Sequence, residues 1–256
     1  MHPMLNIAIR AARAAGDSIV REMDRVCDIP VETKGKNDFV TEIDRGAEKI
    51  IINTLKNVFP DHAFLGEETG QQGEGDFLWI IDPLDGTTNF LHGLPHFAVS
   101  IALQHKGVLE QAVVYDPLRQ ELFTASKGKG ALLNNRKIRE SSKNSLDGAL
   151  LGTGFPYGDE TAMVSFIDSF KALFPAIAGI RRAGVASLDL AYVACGRLDG
   201  FWEYNLKPWD IAAGALLIQE AGGINAELTG KINFMETGNI ISANPKLLKA
   251  MLKKIS

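Results

Sequence analysis

The sequence predicts a mixed fold in which a helix-flanked antiparallel sheet is followed by alternating helices and strands, and three observations carry that expectation. Two amphipathic stripes open the chain, short β-rich runs punctuated by turn residues fill its middle, and beyond about Ser141 helical and strand-like segments alternate to the end. At 256 residues and 46% hydrophobic content, the chain suits one large domain or two closely packed halves with ample core.

Leu5, Ala8, Ile9, Ala12, Ala15, Ile19, Val20 and Met23 recur at spacings of three and four, which describes one apolar stripe on a first helix. A polar stretch from Glu32 to Asp38 follows. Thr41-Glu42-Ile43-Asp44 then reads as the start of a second helix carrying Ala47, Ile50, Ile51, Leu55 and Val58, which Pro60 ends. Strand candidates come next: Ala63–Leu65, Phe77–Ile81, Phe97–Leu103, Val108–Tyr115 and Glu121–Thr124, separated by turns such as Lys106-Gly107 and Asp116-Pro117. In the last part, helices are expected at Thr161–Phe174, Ser187–Cys195, Ile211–Glu220 and Pro245–Ile255. Strands are expected at Gly148–Gly152, Gly200–Tyr204 and Asn239–Ser242. Asn244-Pro245 pairs a cap with a first-turn proline.

Composition narrows the function. A formal net charge of −4 and a pI of about 5.8 argue against a general nucleic-acid coat, which needs a basic surface, and no motif here reads RNA. Cys27 and Cys195 are too few for a disulfide scaffold, and the chain start lacks a signal-peptide pattern, so a reducing cytoplasm is the default. Each cysteine reads as a small buried hydrophobe, and the five histidines are scattered and assigned no chemistry. There is no repeat, low-complexity tract or membrane span; Lys249, Lys253 and Lys254 mark a solvated helix face.

The richest segment is Trp79-Ile80-Ile81-Asp82-Pro83-Leu84-Asp85-Gly86-Thr87-Thr88-Asn89-Phe90, where an apolar run empties into two carboxylates, a glycine and two hydroxyls. A buried strand ending at Asp82, turned by Pro83 and Gly86, fits it best. Asp82 and Asp85 converge in such a turn only if their repulsion is cancelled, and a hard divalent cation with oxygen ligands is the usual means. Ordinary turn and capping chemistry is the competing reading for these aspartates, for Asp210 at a helix start and for Asp44 with Thr41, while Glu67-Glu68 compete as two solvated loop acids.

Asp82 to Phe90 resembles the first signature of the inositol monophosphatase family at every position. Trp209-Asp210-Ile211-Ala212-Ala213-Gly214-Ala215 and Glu220-Ala221-Gly222-Gly223 are similar to its second. The likeness covers nearly the whole chain, and the opening Met1–Ala8 resembles the bacterial SuhB-type branch. The resemblance implies a layered α-β-α-β-α sandwich of the inositol monophosphatase and fructose-bisphosphatase type. Its α+β half, residues 1–140, holds most metal ligands, and its α/β half, residues 141–256, completes the site as one compact unit. A homodimer is implied as well.

The resemblance also implies two to three Mg²⁺ ions held by Glu67, Asp82, the Leu84 carbonyl, Asp85 and Asp210, with Glu68 one step removed. Asp44 and Thr87 are implied to activate the attacking water, with Glu67 joining them in catalysis. Main-chain groups of Gly86 and Thr87 suit phosphate oxygens, with Leu84, Asp85 and Asp210 also on the substrate side. Glu203, Gly184 and Ala186 would face the alcohol; Arg181 and Arg182 would meet a ligand, a dimer partner or only solvent, and Arg181 is placed in the site. Lys36 and Asn37 lie on a Lys-Gly-Lys loop that either closes over metal and substrate or is an ordinary surface turn. The implied activity is hydrolysis of myo-inositol 1-phosphate with lithium inhibition. Rival substrates are fructose 1,6-bisphosphate, adenosine bisphosphates, NADP or histidinol phosphate. The Thr87-Thr88-Asn89-Phe90 ending favours the inositol branch. A reading of another class is a transcription antitermination factor that binds RNA polymerase or elongation factors, with catalysis secondary.

Overall fold

The computed structural model describes residues 2–23, 31–35 and 38–255. Helix α1 (Pro3–Glu22) buries Leu5, Ala8, Ala12, Ala15 and Ile19, the stripe that the spacing predicts. A hairpin of β1 (Val31–Gly35) and β2 (Asp38–Thr41) stands where the sequence suggested only a polar stretch, and leads into α2 (Glu42–Lys56). Cys27, Lys36 and Asn37 lie outside the described residues.

Next come β3 (Ala63–Gly66), β4 (Gly70–Gln72), β5 (Phe77–Asp85), the short helix α3 (Thr87–Leu91), β6 (Ala98–His105), β7 (Val108–Asp116), β8 (Glu121–Ser126), β9 (Gly130–Leu133) and β10 (Arg136–Lys137). They form an eight-stranded sheet in the order β10-β9-β8-β7-β6-β5-β3-β4, antiparallel at every neighbour except β3 with β5, which run parallel. The expected end of β5 at Asp82 is corrected: the strand continues to Asp85. Between Asp82, opposite Ser100, and Asp85, opposite Ala98, one extra residue makes a bulge. A bulge tolerates Pro83, which has no N–H for the ladder, so the strand survives its proline and turns only at Gly86.

The remainder comprises β11 (Leu150–Thr153), α4 (Glu160–Leu173), β12 (Gly179–Arg181), α5 (Ala186–Ala194), β13 (Gly200–Glu203), α6 (Pro208–Ala221), β14 (Ile224–Ala226), α7 (Phe234–Thr237), β15 (Ile240–Ala243) and α8 (Pro245–Ile255). Its sheet runs β12-β11-β13-β15-β14, parallel across the first three strands and antiparallel across the last three. Strands β12 and β14 have three residues each, too few to show a period in sequence.

Alternation along β5 sets the layers. Trp79 and Ile81 pack with α1 and α2, whereas Ile80 points to the opposite face, against α5 and α6. Beyond those two helices lies the five-stranded sheet, whose far side packs Trp202 and Ile241 against Phe166 and Leu173 of α4 and Leu247 and Met251 of α8. The order is α-β-α-β-α. Helix α6 is apolar all round because both its sides are covered. Gly214 lets Leu190 of α5 close on it; a Cβ there would stand 2.5 Å from Leu190 Cβ. At the end of α6, Glu220 takes the N–H groups of Gly128 and Gly130 at 2.7 Å each, tying the β8–β9 turn to the central helices.

Candidate active site

The site is assembled where β5 ends. Asp82 is buried, and its Oδ1 accepts the Leu84 N–H at 3.0 Å across the bulge. Asp85 Oδ2 accepts the Ser187 N–H at 2.7 Å, which caps α5 from another strand because the helix's own N-cap, Val185, has no polar side chain. Gly86 has φ 98°, and a Cβ on it would stand 2.8 Å from Val185 Cγ2, so only glycine fits this crossing. Thr87 opens α3 with its Oγ1 2.9 Å from Asp44 Oδ1 and 3.1 Å from the Leu84 carbonyl.

The Asp44 carboxylate contacts both Thr41 and Thr87. Its Oδ2 accepts the Thr41 N–H at 2.8 Å and the Thr41 hydroxyl at 2.6 Å, closing a capping box on α2, while Oδ1 accepts Thr87. The side chain is wholly buried.

Glu67 follows β3, and its N–H donates to the Ile81 carbonyl at 3.1 Å, so the backbone sets it beside Asp82. Asp210 lies in the first turn of α6, where Oδ2 accepts the Lys207 N–H at 2.7 Å. Ser100, opposite Asp82 in the ladder, donates to the Trp209 carbonyl at 3.2 Å and so holds that turn against the sheet. Glu67, Asp85, Thr87 and Asp210 line one cleft of ≈ 550 Å³. Burial drives the Asp82 carboxyl well above the ordinary carboxylate range, and the charges of Glu67, Asp85 and Asp210 push it further. Burial likewise raises Asp85 to about 6, against the opposing hydrogen bonds from Ser187 and Ala186. Among the described residues, no three His, Cys, Asp or Glu side chains are arranged to enclose an ion by themselves.

The other wall comes from the second sheet. Asn89 Nδ2 donates to the carbonyls of His96 at 2.9 Å and Ala183 at 3.0 Å, binding α3 to the loop that carries Gly184. Gly184, Tyr157, His92 and Arg182 line the cleft. Arg182 lies over the rings of Phe155 and Tyr157, 5.0 and 5.4 Å from their centroids. Arg181, the last residue of β12, stands apart from this lining. Its Nη1 donates to the Ile180 carbonyl, and it lines a separate cavity with Arg119 and Arg197. Arg182 is the guanidinium at the cleft.

Glu203, at the end of β13, is raised well above the carboxylate range by burial, then by Asp189 and Asp210, with Arg182 opposing. A Cβ on Gly154 would overlap its carboxylate, so that glycine makes its room. Ala186 starts α5 beside Asp85. Asp189, two residues after Ser187, is buried and raised by burial and by Asp85, and its Oδ2 has no hydrogen-bond partner. Cys195 is partly buried with its thiol raised by burial, a packed hydrophobe as expected.

A model of the inositol monophosphatase family matches residues 1–256. The chain belongs to the inositol monophosphatase family. A Pseudomonas aeruginosa protein named Nus factor SuhB is 57% identical over 100% of this chain and 96% of its own length. A protein of that name from Escherichia coli is 53% identical over 98% and 95%. Among solved structures, extragenic suppressor protein suhB from Bartonella henselae superposes with a TM-score of 0.96 at 42% identity, over 100% of this chain and 99% of that one. An inositol monophosphatase from Thermotoga maritima gives 0.89 at 37% identity, over 98% and 96%. Phosphatase chemistry is thus the family's frame for this cleft. The first inositol monophosphatase signature falls on the β5 bulge, Gly86 and α3. The second falls on the first turn of α6 and the Glu220 clamp.

Sequence reasoning missed Glu48, Asp189 and the bridging role of Asn89, and it weighed Arg182 beside Arg181 without placing it in the site. Two of them carried a signal. Glu48 interrupts the apolar stripe of α2 one turn after Asp44, and Asp189 sits between Leu188 and Leu190 in an otherwise apolar helix.

Proposed function

We propose that the chain is a Mg²⁺-dependent phosphomonoesterase that hydrolyses myo-inositol 1-phosphate to myo-inositol and phosphate by direct attack of water. The observation that carries this reading is the Thr87 hydroxyl, 2.9 Å from Asp44 Oδ1, in a cleft lined also by Glu67, Asp85 and Asp210. Glu67, Asp82, Asp85, Asp210 and the Leu84 carbonyl would hold two to three Mg²⁺ ions. The donor set fits such ions: it is all oxygen, and the burial and added repulsion that drive Asp82 upward are what a divalent cation offsets. Mg²⁺ draws on only one or two carboxylates, with water and phosphate oxygens completing its shell; bound here it would supply Lewis acidity to the ester and acidify a nearby water.

The residues of the chain do the rest. With its hydrogen donated to Asp44 Oδ1, the Thr87 oxygen keeps lone pairs that accept a hydrogen bond from water and aim it at phosphorus. As the water oxygen bonds to phosphorus and the bond to the alcohol oxygen breaks, the water's proton passes through the Thr87 hydroxyl to Asp44, and the departing alcohol oxygen takes a proton from solvent. Main-chain N–H groups of Gly86 and Thr87 hold phosphate oxygens. Glu203, Gly184 and Ala186, joined by Arg182, face the alcohol, and Glu203 hydrogen-bonds its hydroxyls.

The test is phosphate release from myo-inositol 1-phosphate, fructose 1,6-bisphosphate and NADP, with Mg²⁺ and with chelator. The highest kcat/KM is expected for the inositol ester; a higher value for another substrate moves the assignment to that alcohol, and no release from any rejects it. Lithium inhibition and a homodimer, measured by light scattering, belong to the same proposal, as does a cytoplasmic setting. Among the described residues no helix is long and apolar enough to cross a membrane.

A second reading rests on the names of the relatives. In it the chain is a Nus factor whose partner is a protein, RNA polymerase or an elongation factor, since a net charge of −4 favours protein over direct nucleic-acid contact. Binding of purified polymerase by wild type and by Asp85→Asn alike supports a role separate from catalysis; no binding by either removes it.

A further inference from the structure

Glu48 is a buried charged side chain near the cleft that the proposed chemistry leaves unused. It projects from α2 with no exposure to solvent, one turn after Asp44. Its Oε2 accepts the Glu68 N–H at 2.9 Å, and its Oε1 accepts both the Thr69 N–H at 3.0 Å and the Thr69 hydroxyl at 2.6 Å. A Cβ on Gly66 would overlap the Glu48 carboxylate, so the glycine at the end of β3 is what admits it. The four residues Gly66 to Thr69 therefore wrap around one carboxylate, and Glu67 is among them. On its other side the Glu67 N–H is held by the Ile81 carbonyl, next to Asp82.

We infer that Glu48 is a positioning residue for the reaction: by taking the N–H groups of Glu68 and Thr69, it fixes the Glu67 carboxylate against the end of β5. Helix α2 then supports the cleft at two points one turn apart, Thr87 through Asp44 and Glu67 through Glu48. Charge-assisted bonds to main-chain N–H groups are the strong kind, and their loss would free the turn that carries Glu67. The inference rests on the proposal that Glu67 helps to hold the cation.

The experiment uses the full-length protein stripped of metal, with Mn²⁺ binding followed by calorimetry, and the Mg²⁺ dependence of phosphate release measured alongside. Glu48→Gln keeps the volume but turns a donor toward one of the N–H groups. Its Mn²⁺ affinity is expected to fall about 10–100-fold, the usual effect of losing a group that supports a metal ligand. The Mg²⁺ concentration for half-maximal rate is expected to rise by the same factor, while kcat at saturating Mg²⁺ is largely recovered. On a Glu67→Gln background, Glu48→Gln is expected to add little, because its effect passes through Glu67. Full losses in both backgrounds, or Glu48→Gln binding Mn²⁺ as wild type does, overturn the inference. If Glu67→Gln alone leaves Mn²⁺ affinity unchanged, the reading of the site itself has failed, a result distinct from failure of Glu48 alone. Should Glu48→Gln not fold, Gly66→Ala displaces the carboxylate without removing it and must show the same loss of affinity; wild-type affinity there also overturns the inference.

Discussion

Asp44→Asn separates the structural from the chemical work of one side chain. In the native protein, Oδ2 receives two hydrogen bonds from Thr41 and Oδ1 receives one from Thr87. Asparagine has a single acceptor oxygen. Facing that oxygen to Thr41 keeps the cap on α2, and the amide then donates to Thr87, whose hydroxyl hydrogen turns to the Leu84 carbonyl 3.1 Å away. The Thr87 oxygen can no longer pass a proton to residue 44. Stability should fall by only about 1–2 kcal/mol, since the cap loses charge but keeps its geometry. The rate should fall about 10²–10⁴-fold, the usual worth of a general base, or roughly 3–5 kcal/mol of barrier. Thermal unfolding and kcat for phosphate release from myo-inositol 1-phosphate give the two numbers. A folded Asp44→Asn protein with kcat near wild type would refute the relay, and one whose activity is lost only through unfolding would reduce Asp44 to a cap.

Three further outcomes are expected. In metal-free protein, the Asp85 carboxyl is raised from 3.8 to about 6, so its contribution to stability is full below about pH 4 and disappears as pH rises through 6. At 1.36 kcal/mol per unit this is about 3 kcal/mol, and Mg²⁺ near pH 7 should restore it. Melting curves in EDTA that show no such fall, or no rise on adding Mg²⁺, contradict the electrostatic account. Arg182→Ala should raise KM for the ester while Arg181→Ala leaves kcat and KM unchanged, because only Arg182 lines the cleft; equal effects count against the assignment. Gly86→Ala, at φ 98° and 2.8 Å from Val185 Cγ2, should cost about 1–3 kcal/mol and lower Tm by several degrees; an unchanged Tm would show that β5 and α5 can separate freely.

Much of this architecture was legible because its elements are periodic. The stripe of α1, the Thr41 start of α2 and the apolar runs of β5 to β8 each announce themselves by spacing or by flanking turn residues. The three-residue strands β12 and β14 do not, since their pairing comes from neighbours distant in sequence. The end of β5 misled for a local reason: Pro83 reads as a stop, yet a bulge absorbs it.

For the candidate site, sequence reasoning set capping and turn chemistry against metal and proton chemistry as rivals. Asp44, Asp82, Asp85 and Asp210 all bond a backbone N–H near a strand or helix end while standing at the cleft or one bond away from it. The same carboxylates do the local folding work and gather the charge. Spacing showed Glu48 only as a break in the stripe of α2 and could not tell Arg181 from Arg182, since which turn wraps a carboxylate and which arginine lines the cleft depend on tertiary packing.

Phosphate release from myo-inositol 1-phosphate by wild type and Asp85→Asn across a Mg²⁺ titration tests whether the carboxylates at the end of β5 gather divalent cations for phosphate-ester hydrolysis. Wild type should be silent in chelator and turn over as Mg²⁺ is added, while the folded Asp85→Asn protein stays silent throughout. Turnover without a divalent cation, or undiminished turnover by Asp85→Asn, would contradict it.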